Sequence, residues 1–229
     1  MTIYLLGASN PETVRVVRAV ERVTANVVFA GFLDNDRHKH GTRFWGFPVL
    51  GGIERVPELA GADTGFVNLI TGSTAVRHET TLAIKRAGGR MVNLIHPNVD
   101  LTMVHLGEGL YVQEAVILQA AVSLGDNTSI HMGALIGHET VVGESVFIAH
   151  GVSVSGCCRI GDGTFVGTNA SILPRRSIGR WATIGAGAVV TKDVPDHAVV
   201  VGNPGKIIKY SAPSAPNETG ASRHPRSSD

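Results

Sequence analysis

His138 and Glu139 are the neighbouring side chains of this sequence best suited to acid–base chemistry. An unperturbed imidazole has a pKa near neutrality, so it can take a proton from an attacking amine or hydroxyl at physiological pH. His138 is therefore a candidate general base. The alternative, that both residues are merely solvated surface side chains, stays open from the residues alone.

A second set of polar and small residues follows the apolar segments of the first half. Gly7, Ala8 and Ser9 come directly after a strand-like run and before a helix, a place where backbone N–H groups can bind phosphate. Asp34 ends the next run, where an acid can contact a ribose or a base. We predict a nucleotide-binding crevice, although ordinary turns favour the same residue types. Its predicted residues are Gly7, Ala8, Ser9, Asn10, Asp34, Asn35, Gly72 and Ser73.

Alternating strand and helix patterns would place these crevice residues at one edge of a sheet. Apolar runs predict strands over residues 2–8, 26–33, 66–71 and 90–95, and apolar residues at helical spacing predict helices after Pro11 and over 74–87. Such alternation favours a parallel sheet with right-handed crossovers. Residues 1–97 are thus expected to form an α/β, Rossmann-like domain that binds the nucleotide. The turn lacks the GxGxxG pattern, so NAD is not inferred.

A period of six residues dominates the second half and would position His138. Fifteen positions at this spacing hold only Leu, Ile or Val, and Gly follows eight of them. They are Leu106, Val112, Leu118, Leu124, Ile130, Ile136, Val142, Ile148, Val154, Ile160, Val166, Ile172, Ile178, Ile184 and Val190. Each hexad predicts one short strand and one corner, so three hexads make an 18-residue turn of a triangular parallel β-helix. We expect about five coils over residues 98–209, with His138 at a corner, His131 as an outward polar residue, and a flexible tail over 210–229.

Composition limits the possible partners and the compartment. The chain has 229 residues, of which 43% are hydrophobic, and Lys plus Arg number 20 against 19 Asp plus Glu. This balance argues against nucleic acid or an anionic membrane as the main partner. The two cysteines, Cys157 and Cys158, are adjacent and cannot form a disulfide framework. No apolar run reaches the roughly 20 residues of a membrane helix, and no signal peptide is evident, so we expect a cytoplasmic protein.

Several motifs in register resemble those of the hexapeptide-repeat sugar acyltransferases. In the first half they are YLLGAS at 4–9, GFLDND at 31–36, the GFPVLG turn at 46–51 and His96-Pro97; in the second, GHETVVG at 137–143 and GNPGK at 202–206. The chain looks most like the sialic acid O-acetyltransferases and the nucleotide-amino-sugar N-acetyltransferases. This resemblance implies a left-handed parallel β-helix that assembles as a homotrimer. It further implies transfer of an acetyl group from acetyl-CoA to a nucleotide-linked sugar, without a metal.

The same resemblance assigns roles along the coil. Glu139 would raise the basicity of His138, and CoA contacts would fall at Thr168 and Ala186, with Lys206 near a CoA phosphate. Because residues 18 apart stack on adjacent coils, His150 shares the Thr168 column, beside a bare strip where pantetheine could lie. Phe147 stands where the family commonly has a second histidine. The predicted CoA-binding residues are Phe147, Ala149, His150, Gly167, Thr168, Gly185, Ala186 and Lys206.

Two other classes of function remain as alternatives to N-acetylation of a sugar, besides O-acetylation. One is a metal enzyme like the γ-type carbonic anhydrases, for which His131, His138 and His150 would be the candidate ligands, although the close histidine pair of that site is absent. The other is a non-catalytic binding or scaffold protein that has kept the fold. Products formed from acetyl-CoA and a panel of nucleotide-amino-sugars would distinguish all of these.

Overall fold

The computed structural model describes residues 1–211. The predicted tail lies outside the described residues from position 212 onward. Tyr210 closes the last strand, and Ser211 N donates to His197 O at 2.8 Å. Within residues 1–211, no helix is long and apolar enough to span a membrane.

The first half folds into a five-stranded sheet flanked by helices. Its strand order is β3-β4-β2-β1-β5; β1 lies parallel to both β2 and β5, and only the edge strand β3 is antiparallel. The strands are β1 (Thr2–Leu6), β2 (Val28–Leu33), β3 (Arg43–Phe44), β4 (Phe47–Gly51) and β5 (Thr64–Asn68). The helices are α1 (Glu12–Val23), α2 (Val56–Leu59) and α3 (Thr74–Arg86), with 3-10 turns at Arg37–Lys39 and Ile53–Arg55.

Two segments of the first half differ from the sequence expectation. Residues 46–51, expected as a turn, contain strand β4, which pairs with β2 inside the sheet. The strand expected over 90–95 is not a fourth strand of that sheet. Met91 makes a single parallel bridge to Phe66, and β6 (Leu94–Ile95) instead pairs with the first coil of the second half. An apolar run alone does not specify which sheet will take the strand.

The second half is a parallel β-helix of two-residue strands, with the left-handed sense expected for hexads. The strands are β7 (His105–Leu106), β8 (Tyr111–Val112), β9 (Ile117–Leu118), β10 (Ser123–Leu124), β11 (Ser129–Ile130), β12 (Leu135–Ile136), β13 (Val141–Val142), β14 (Phe147–Ile148), β15 (Ser153–Val154), β16 (Arg159–Ile160), β17 (Phe165–Val166), β18 (Ser171–Ile172), β19 (Ser177–Ile178), β20 (Thr183–Ile184) and β21 (Val189–Val190). Every third strand belongs to the same sheet, so three sheets form the three walls. Partners in register lie 18 residues apart, as Ile130 and Ile148 do.

The hexad anchors form the core of this β-helix. Fourteen of the fifteen are buried, whereas Leu106 is 39% exposed because its strand β7 is the edge of its wall. Each buried anchor contributes about 1.5–3 kcal/mol relative to an exposed side chain. After β21 the chain adds β22 (Ala198–Val201) parallel to β20 and returns as β23 (Lys206–Tyr210).

Buried polar contacts hold the first domain against the β-helix. Arg77 of α3 is fully buried; its Nε donates to Asn127 O at 2.7 Å and its Nη1 to Asn68 O at 2.7 Å. Burial lowers the pKa of Arg77 to about 9, so the guanidinium is still protonated at neutral pH. On α1, Thr13 Oγ1 lies 3.3 Å from the Tyr111 hydroxyl of β8. These contacts fix the sheet relative to the first coils.

Candidate active site at a corner of the β-helix

The corner between β12 and β13 holds His138 and Glu139 on a rigid backbone. His138 N donates to Gln119 Oε1 at 2.9 Å, and Glu139 N donates to Ala120 O at 3.0 Å. On the other side, Cys157 N donates to His138 O at 2.8 Å. Glu139 adopts φ +58°, the left-handed conformation that recurs at the corners of neighbouring coils. The hexad repeat therefore supplies both the turn and its bonds to adjacent coils.

The two side chains of this corner are hydrogen-bonded to each other. His138 Nδ1 lies 3.0 Å from Glu139 Oε2, with 56% and 65% of the respective side chains exposed. The hydrogen bond from His138, and then the one from Cys157, lowers the pKa of Glu139, so its carboxylate is ionised at neutral pH. A carboxylate at Nδ1 favours the tautomer that carries its proton there. The lone pair then resides on Nε2, where a neutral imidazole can accept a proton from a substrate.

Gly156 supports the His138 ring, a role that the sequence reasoning did not assign. It lies 18 residues after His138, on the next coil, and a Cβ there would come within 2.5 Å of His138 Nε2 and 2.8 Å of its Cδ2. The imidazole thus packs against bare backbone, in a position that any side chain at 156 would occupy. The period of 18 identifies this residue once His138 is chosen.

His131 and Phe147 lie in an aromatic cluster on another wall. His131 is 2% exposed, its ring centre is 4.5 Å from that of Phe147 and 5.1 Å from that of His150, and its Nε2 lies 2.9 Å from Ser129 Oγ. His131 was expected to be an outward polar residue of the coil; it is shielded from solvent there because these rings and Tyr111 cover it. Burial, and next the charge of His150, lowers the pKa of His131 to about 3. The ring is therefore neutral at physiological pH.

The column predicted to bind CoA runs along the corner that follows strands β14 and β17. Asn169 N donates to His150 O at 2.9 Å and Gly187 N to Thr168 O at 2.8 Å, so the 18-residue stacking extends along it. Gly167 and Gly185, the small residues beside this column, can be explained by coil packing as well as by CoA binding. A Cβ on Gly167 would lie 2.7 Å from Ala186 N, and one on Gly185 would lie 2.8 Å from a Val201 methyl group. Glycine is thus required there for coil packing, whether or not a ligand lies over it.

His138 and the predicted CoA column lie at different corners of one chain. His138 follows β12, whereas His150 and Thr168 follow β14 and β17 of another wall. The structure therefore does not bring the base and this column together within a single chain. Nor does it bring together His131, His138 and His150, the set expected of a carbonic anhydrase-like site. Lys206 lies at the end of the β-helix, where it and Lys192 line a cavity of about 270 Å³.

At the predicted nucleotide crevice, Asp34 is already engaged by the protein. Its Oδ2 accepts from Ala8 N at 2.9 Å and from Lys39 Nζ at 2.8 Å, and its Oδ1 accepts from Asp36 N at 2.9 Å. Burial raises the pKa of Asp34, but these three hydrogen bonds outweigh it and the net shift is downward. The carboxylate therefore ties the ends of β1 and β2 together.

The other predicted crevice residues surround that link. Asn10 Oδ1 accepts from Glu12 N at 3.0 Å at the start of α1, and Asn35 Oδ1 accepts from Ile53 N at 3.1 Å. Ser73 Oγ caps α3 by accepting from Val76 N at 3.3 Å, while the space beside the Gly72 Cα is open. The carboxyl ends of β1, β2 and β5 bring these turns to one edge of the sheet, as the sequence predicted.

A cavity of about 440 Å³ beside α1 has no counterpart among the sequence predictions. It is lined by Arg15, Arg18 and Arg22 on the helix, by the exposed Trp45, and by residues at the start of the β-helix that include Glu114. Arg15 bridges Glu12 and Glu114, and Arg18 bonds Glu21 and lies 4.6 Å over the Phe47 ring. The positive charges of Arg15 and Arg18 are therefore balanced by neighbouring carboxylates.

Comparison with known proteins shows which proteins the repeat is similar to. The family model named bacterial transferase hexapeptide (six repeats) matches residues 139–174 and 157–192, which include Glu139 and the following coils. Over these residues the β-helix is similar to the bacterial hexapeptide transferases. Among curated proteins, the serine acetyltransferase of Mycobacterium tuberculosis is 37% identical over 122 residues, 52% of this chain. The chain spans 26% to 47% of the length of the curated relatives it matches.

Solved structures match both domains at once. A mutant of perosamine N-acetyltransferase from Caulobacter crescentus, in complex with CoA and GDP-perosamine, is 27% identical with a TM-score of 0.81, over 91% of this chain and 97% of that one. The acetyltransferase domain of PglB from Neisseria gonorrhoeae, in complex with acetyl coenzyme A, is 26% identical with a TM-score of 0.81, over 90% and 98%. The chain thus shares its two-domain architecture with this perosamine N-acetyltransferase and with the PglB acetyltransferase domain.

Proposed function

We propose that this protein transfers the acetyl group of acetyl-CoA to the amino group of a nucleotide-linked amino sugar, with His138 as the general base. The observation that carries the proposal is the His138 Nδ1–Glu139 Oε2 hydrogen bond of 3.0 Å at an exposed corner. It leaves Nε2 as the proton acceptor, and the match to the bacterial transferase hexapeptide model begins at Glu139, the next residue. Two similar structures hold CoA with GDP-perosamine, or acetyl coenzyme A, which supports the choice of substrates.

The reaction requires His138 to remove one proton. The sugar amine attacks the thioester carbonyl, a C–N bond forms, and Nε2 accepts the proton that the nitrogen loses. The tetrahedral intermediate then expels the CoA thiolate as the C–S bond breaks, and the proton passes from His138 to the sulfur. The products are the N-acetylated sugar and free CoA, with His138 neutral again. Glu139 stabilises the imidazolium that exists between the two proton transfers.

The nucleotide is assigned to the crevice at the ends of β1, β2 and β5. Gly7, Ser9 and Gly72 present backbone and open space there, and α1 and α3 begin beside it. Because Asp34 holds Ala8 and Lys39, its role in the proposal is to shape the crevice rather than to bond a ribose directly.

A homotrimer is part of the proposal. His138 and the CoA column occupy different corners of a three-sided prism, so a complete site requires corners of two neighbouring chains to face each other. Three-fold packing of such prisms meets this requirement for every chain equally. In this arrangement Thr168, Ala186 and Lys206 of one chain hold CoA against His138 of the next.

Mass spectrometry of reaction products tests the function. The protein is incubated with acetyl-CoA and a panel of nucleotide-linked amino sugars, matched with the same sugars carrying a hydroxyl in place of the amine. We expect an acetylated product only in the amine series, and far less of it from His138→Ala in the same time. His105→Ala, which changes an exposed histidine on the first coil, is the matched control. Product only in the hydroxyl series would indicate O-acetylation, and sugar binding without any product would indicate the non-catalytic alternative.

A further inference from the structure

Cys157 places a thiol beside the His138–Glu139 pair, and the proposed reaction does not use it. Its Sγ lies 3.7 Å from Glu139 Oε2, the same oxygen that is 3.0 Å from His138 Nδ1. One ring nitrogen, one carboxylate oxygen and the sulfur all lie within 4.8 Å of one another. Among the described residues, no other group of three or more His, Cys, Asp or Glu side chains is placed to hold a metal ion.

The spacing of these donor atoms is close to that of a tetrahedral zinc site. Zinc binds imidazole nitrogen at about 2.0–2.1 Å, carboxylate oxygen at about 2.0–2.2 Å and thiolate sulfur at about 2.3 Å. Tetrahedral angles then separate N from O by about 3.4 Å, O from S by about 3.6 Å and N from S by about 3.6 Å. The first two separations are 3.0 and 3.7 Å here. The nitrogen–oxygen separation must open by about 0.4 Å, and the nitrogen–sulfur separation, which is at most 4.8 Å, must close by no more than about 1.2 Å.

The backbone of the site is fixed before any ion binds. Glu139 and Cys157 occupy the same corner position on successive coils, with φ of +58° and +59°. His138 O accepts from Cys157 N at 2.8 Å, which joins the two coils at the donor residues themselves. The side chains of His138 and Glu139 are more than half exposed, so an ion reaches them from solvent. A carboxylate and a thiolate together neutralise a divalent cation, and a water molecule would complete the tetrahedron.

We propose that His138, Glu139 and Cys157 form a binding site for a thiophilic divalent cation of the Zn²⁺ type, and that the bound ion blocks the general base. On binding, the Cys157 thiol releases its proton to solvent, and His138 changes tautomer: Nδ1 loses its proton to solvent while Nε2 gains one. Nδ1 then donates its lone pair to the ion in place of its bond with Glu139, and the protonated Nε2 can no longer accept a proton from a substrate. The inhibitory consequence rests on the proposed function, since it requires His138 to be the base. Ion binding itself does not depend on that function.

Titration of the metal-free, full-length protein with Co²⁺ tests the binding. A cysteine thiolate bound to Co²⁺ gives a charge-transfer absorption in the near ultraviolet, which Zn²⁺ abolishes by replacing the cobalt. We expect this band in the wild type and its loss in Cys157→Ser. The matched control is Cys158→Ser, because the Cys158 thiol is buried and directed at Leu173 O and Gly156 O, and this variant should keep the band. No band in the wild type, or an equal band in Cys157→Ser, would overturn the proposal.

The inhibitory part has its own measurement. Acetyl transfer by the wild type and by Cys158→Ser should fall on addition of Zn²⁺ and recover with a chelator, whereas Cys157→Ser should need at least about tenfold more Zn²⁺ for the same inhibition. Equal sensitivity of Cys157→Ser would show that zinc acts elsewhere. A cobalt band that requires Cys157, in a protein that acetylates no acceptor, would leave the metal site standing and reject the acetyltransferase function.

Discussion

At the scale of single residues, the candidate base owes its order to the backbone rather than to burial. His138 and Glu139 are both more than half exposed, yet their main chains are bonded to the coils on either side. An exposed imidazole keeps access to a substrate, and the fixed corner limits the directions in which its ring can point. The proton acceptor therefore lies in solvent, and the fold does not have to bury a charged group to position it.

Replacement of the base should remove most of the turnover. His138→Ala is expected to lower kcat by about two to four orders of magnitude, the usual loss for a general base. Glu139→Gln should cause a smaller loss, because the imidazole remains but its imidazolium is less stabilised. The check is steady-state kinetics with acetyl-CoA, with His105→Ala as the control. Turnover of His138→Ala near that of the wild type at neutral pH would remove His138 from the mechanism.

Gly156 offers a test of ring placement that leaves the base in the sequence. In Gly156→Ala the new methyl group would lie 2.5 Å from His138 Nε2, so the ring must rotate away. We expect kcat to fall by about tenfold to a hundredfold, the cost of misplacing a reacting group by about 1 Å, with little change in the KM for acetyl-CoA.

Gly61→Ala is the matched control for this change. A Cβ added there would have Thr64 Oγ1 as its nearest neighbour, at an ordinary contact distance of 3.6 Å. Thermal unfolding of both variants should stay close to that of the wild type. Undiminished kcat in a folded Gly156→Ala would show that the reactive position of the ring differs from the one in the structure.

The buried His131 predicts an acid-sensitive component of stability. Its pKa is about 3 in the folded protein and 6.5 in the unfolded chain. As the pH falls from 6.5 to 3, only the unfolded chain gains the proton, so the free energy of unfolding decreases across that window and is unaffected above it. His131→Gln should therefore lose less stability between about pH 7 and pH 4.5 than the wild type does. Thermal unfolding at the two pH values measures the difference, and equal losses would contradict it.

At the scale of elements, the period of six predicted the β-helix because a Leu, Ile or Val recurs at the same inward-facing position of every hexad. The anchors Ile130, Ile136 and Val142, one on each wall, are all buried in the same core, so local pattern and tertiary contact coincide. The sequence of the first domain predicted its strands less completely. Strand β4 contains Pro48 and follows a Gly, which favours a turn by local rules, and its place beside β2 depends on long-range packing of Phe47 and Val49. For the same reason the pattern could not show that β6 joins the β-helix.

Polar contacts were the least predictable feature of the elements. The turn at Asp34 was expected at the edge of the sheet, and it lies there. However, the bonds from Ala8 and Lys39 that occupy its carboxylate depend on how two turns meet. Likewise, nothing in the sequence near Arg77 indicates a fully buried guanidinium, since its acceptors include carbonyl groups at 68 and 127. Such contacts join residues far apart in the chain and have no local pattern.

The columns of anchors predict a matched pair of core substitutions. Leu124 and Leu106 are partners in register on β10 and β7, but Leu124 is 3% exposed and Leu106 is 39% exposed. Leu124→Ala should lower the free energy of unfolding by about 2–5 kcal/mol, because it leaves a cavity between coils. Leu106→Ala should cost clearly less, since solvent fills the space at the open end. Chemical denaturation of both variants measures this, and equal losses would show that the first coil is covered in solution.

At the scale of the whole molecule, the first domain and the β-helix form one continuous structure. Arg77 and Thr13 bond across the junction, and His78 Nδ1 lies 2.9 Å from Ser145 Oγ of the β-helix. The sheet domain therefore covers one side of the β-helix. The corners with His138 and with His150 are left available for contact with other chains. This division explains why the proposed site needs a second chain rather than a movement of the first domain.

The mass of the assembly is the first test of a site shared between chains. Light scattering should give about three times the 24.1 kDa mass of the chain, because three-fold packing supplies one complete site at each interface. A monomeric mass would reject the shared site altogether.

Complementation between two inactive variants tests which residues meet across each interface. Every complete site is proposed to combine His138 of one chain with the Thr168 column of its neighbour. His138→Ala removes the base, and Thr168→Trp blocks the column with a bulky side chain at an exposed position, so each variant alone should be nearly inactive. In trimers that contain both, some interfaces join an intact His138 corner to an intact column. Co-expressed chains carrying two different tags should therefore recover a substantial fraction of the wild-type activity, whereas mixed trimers as inactive as either parent would place the base and the CoA column of each site on the same chain.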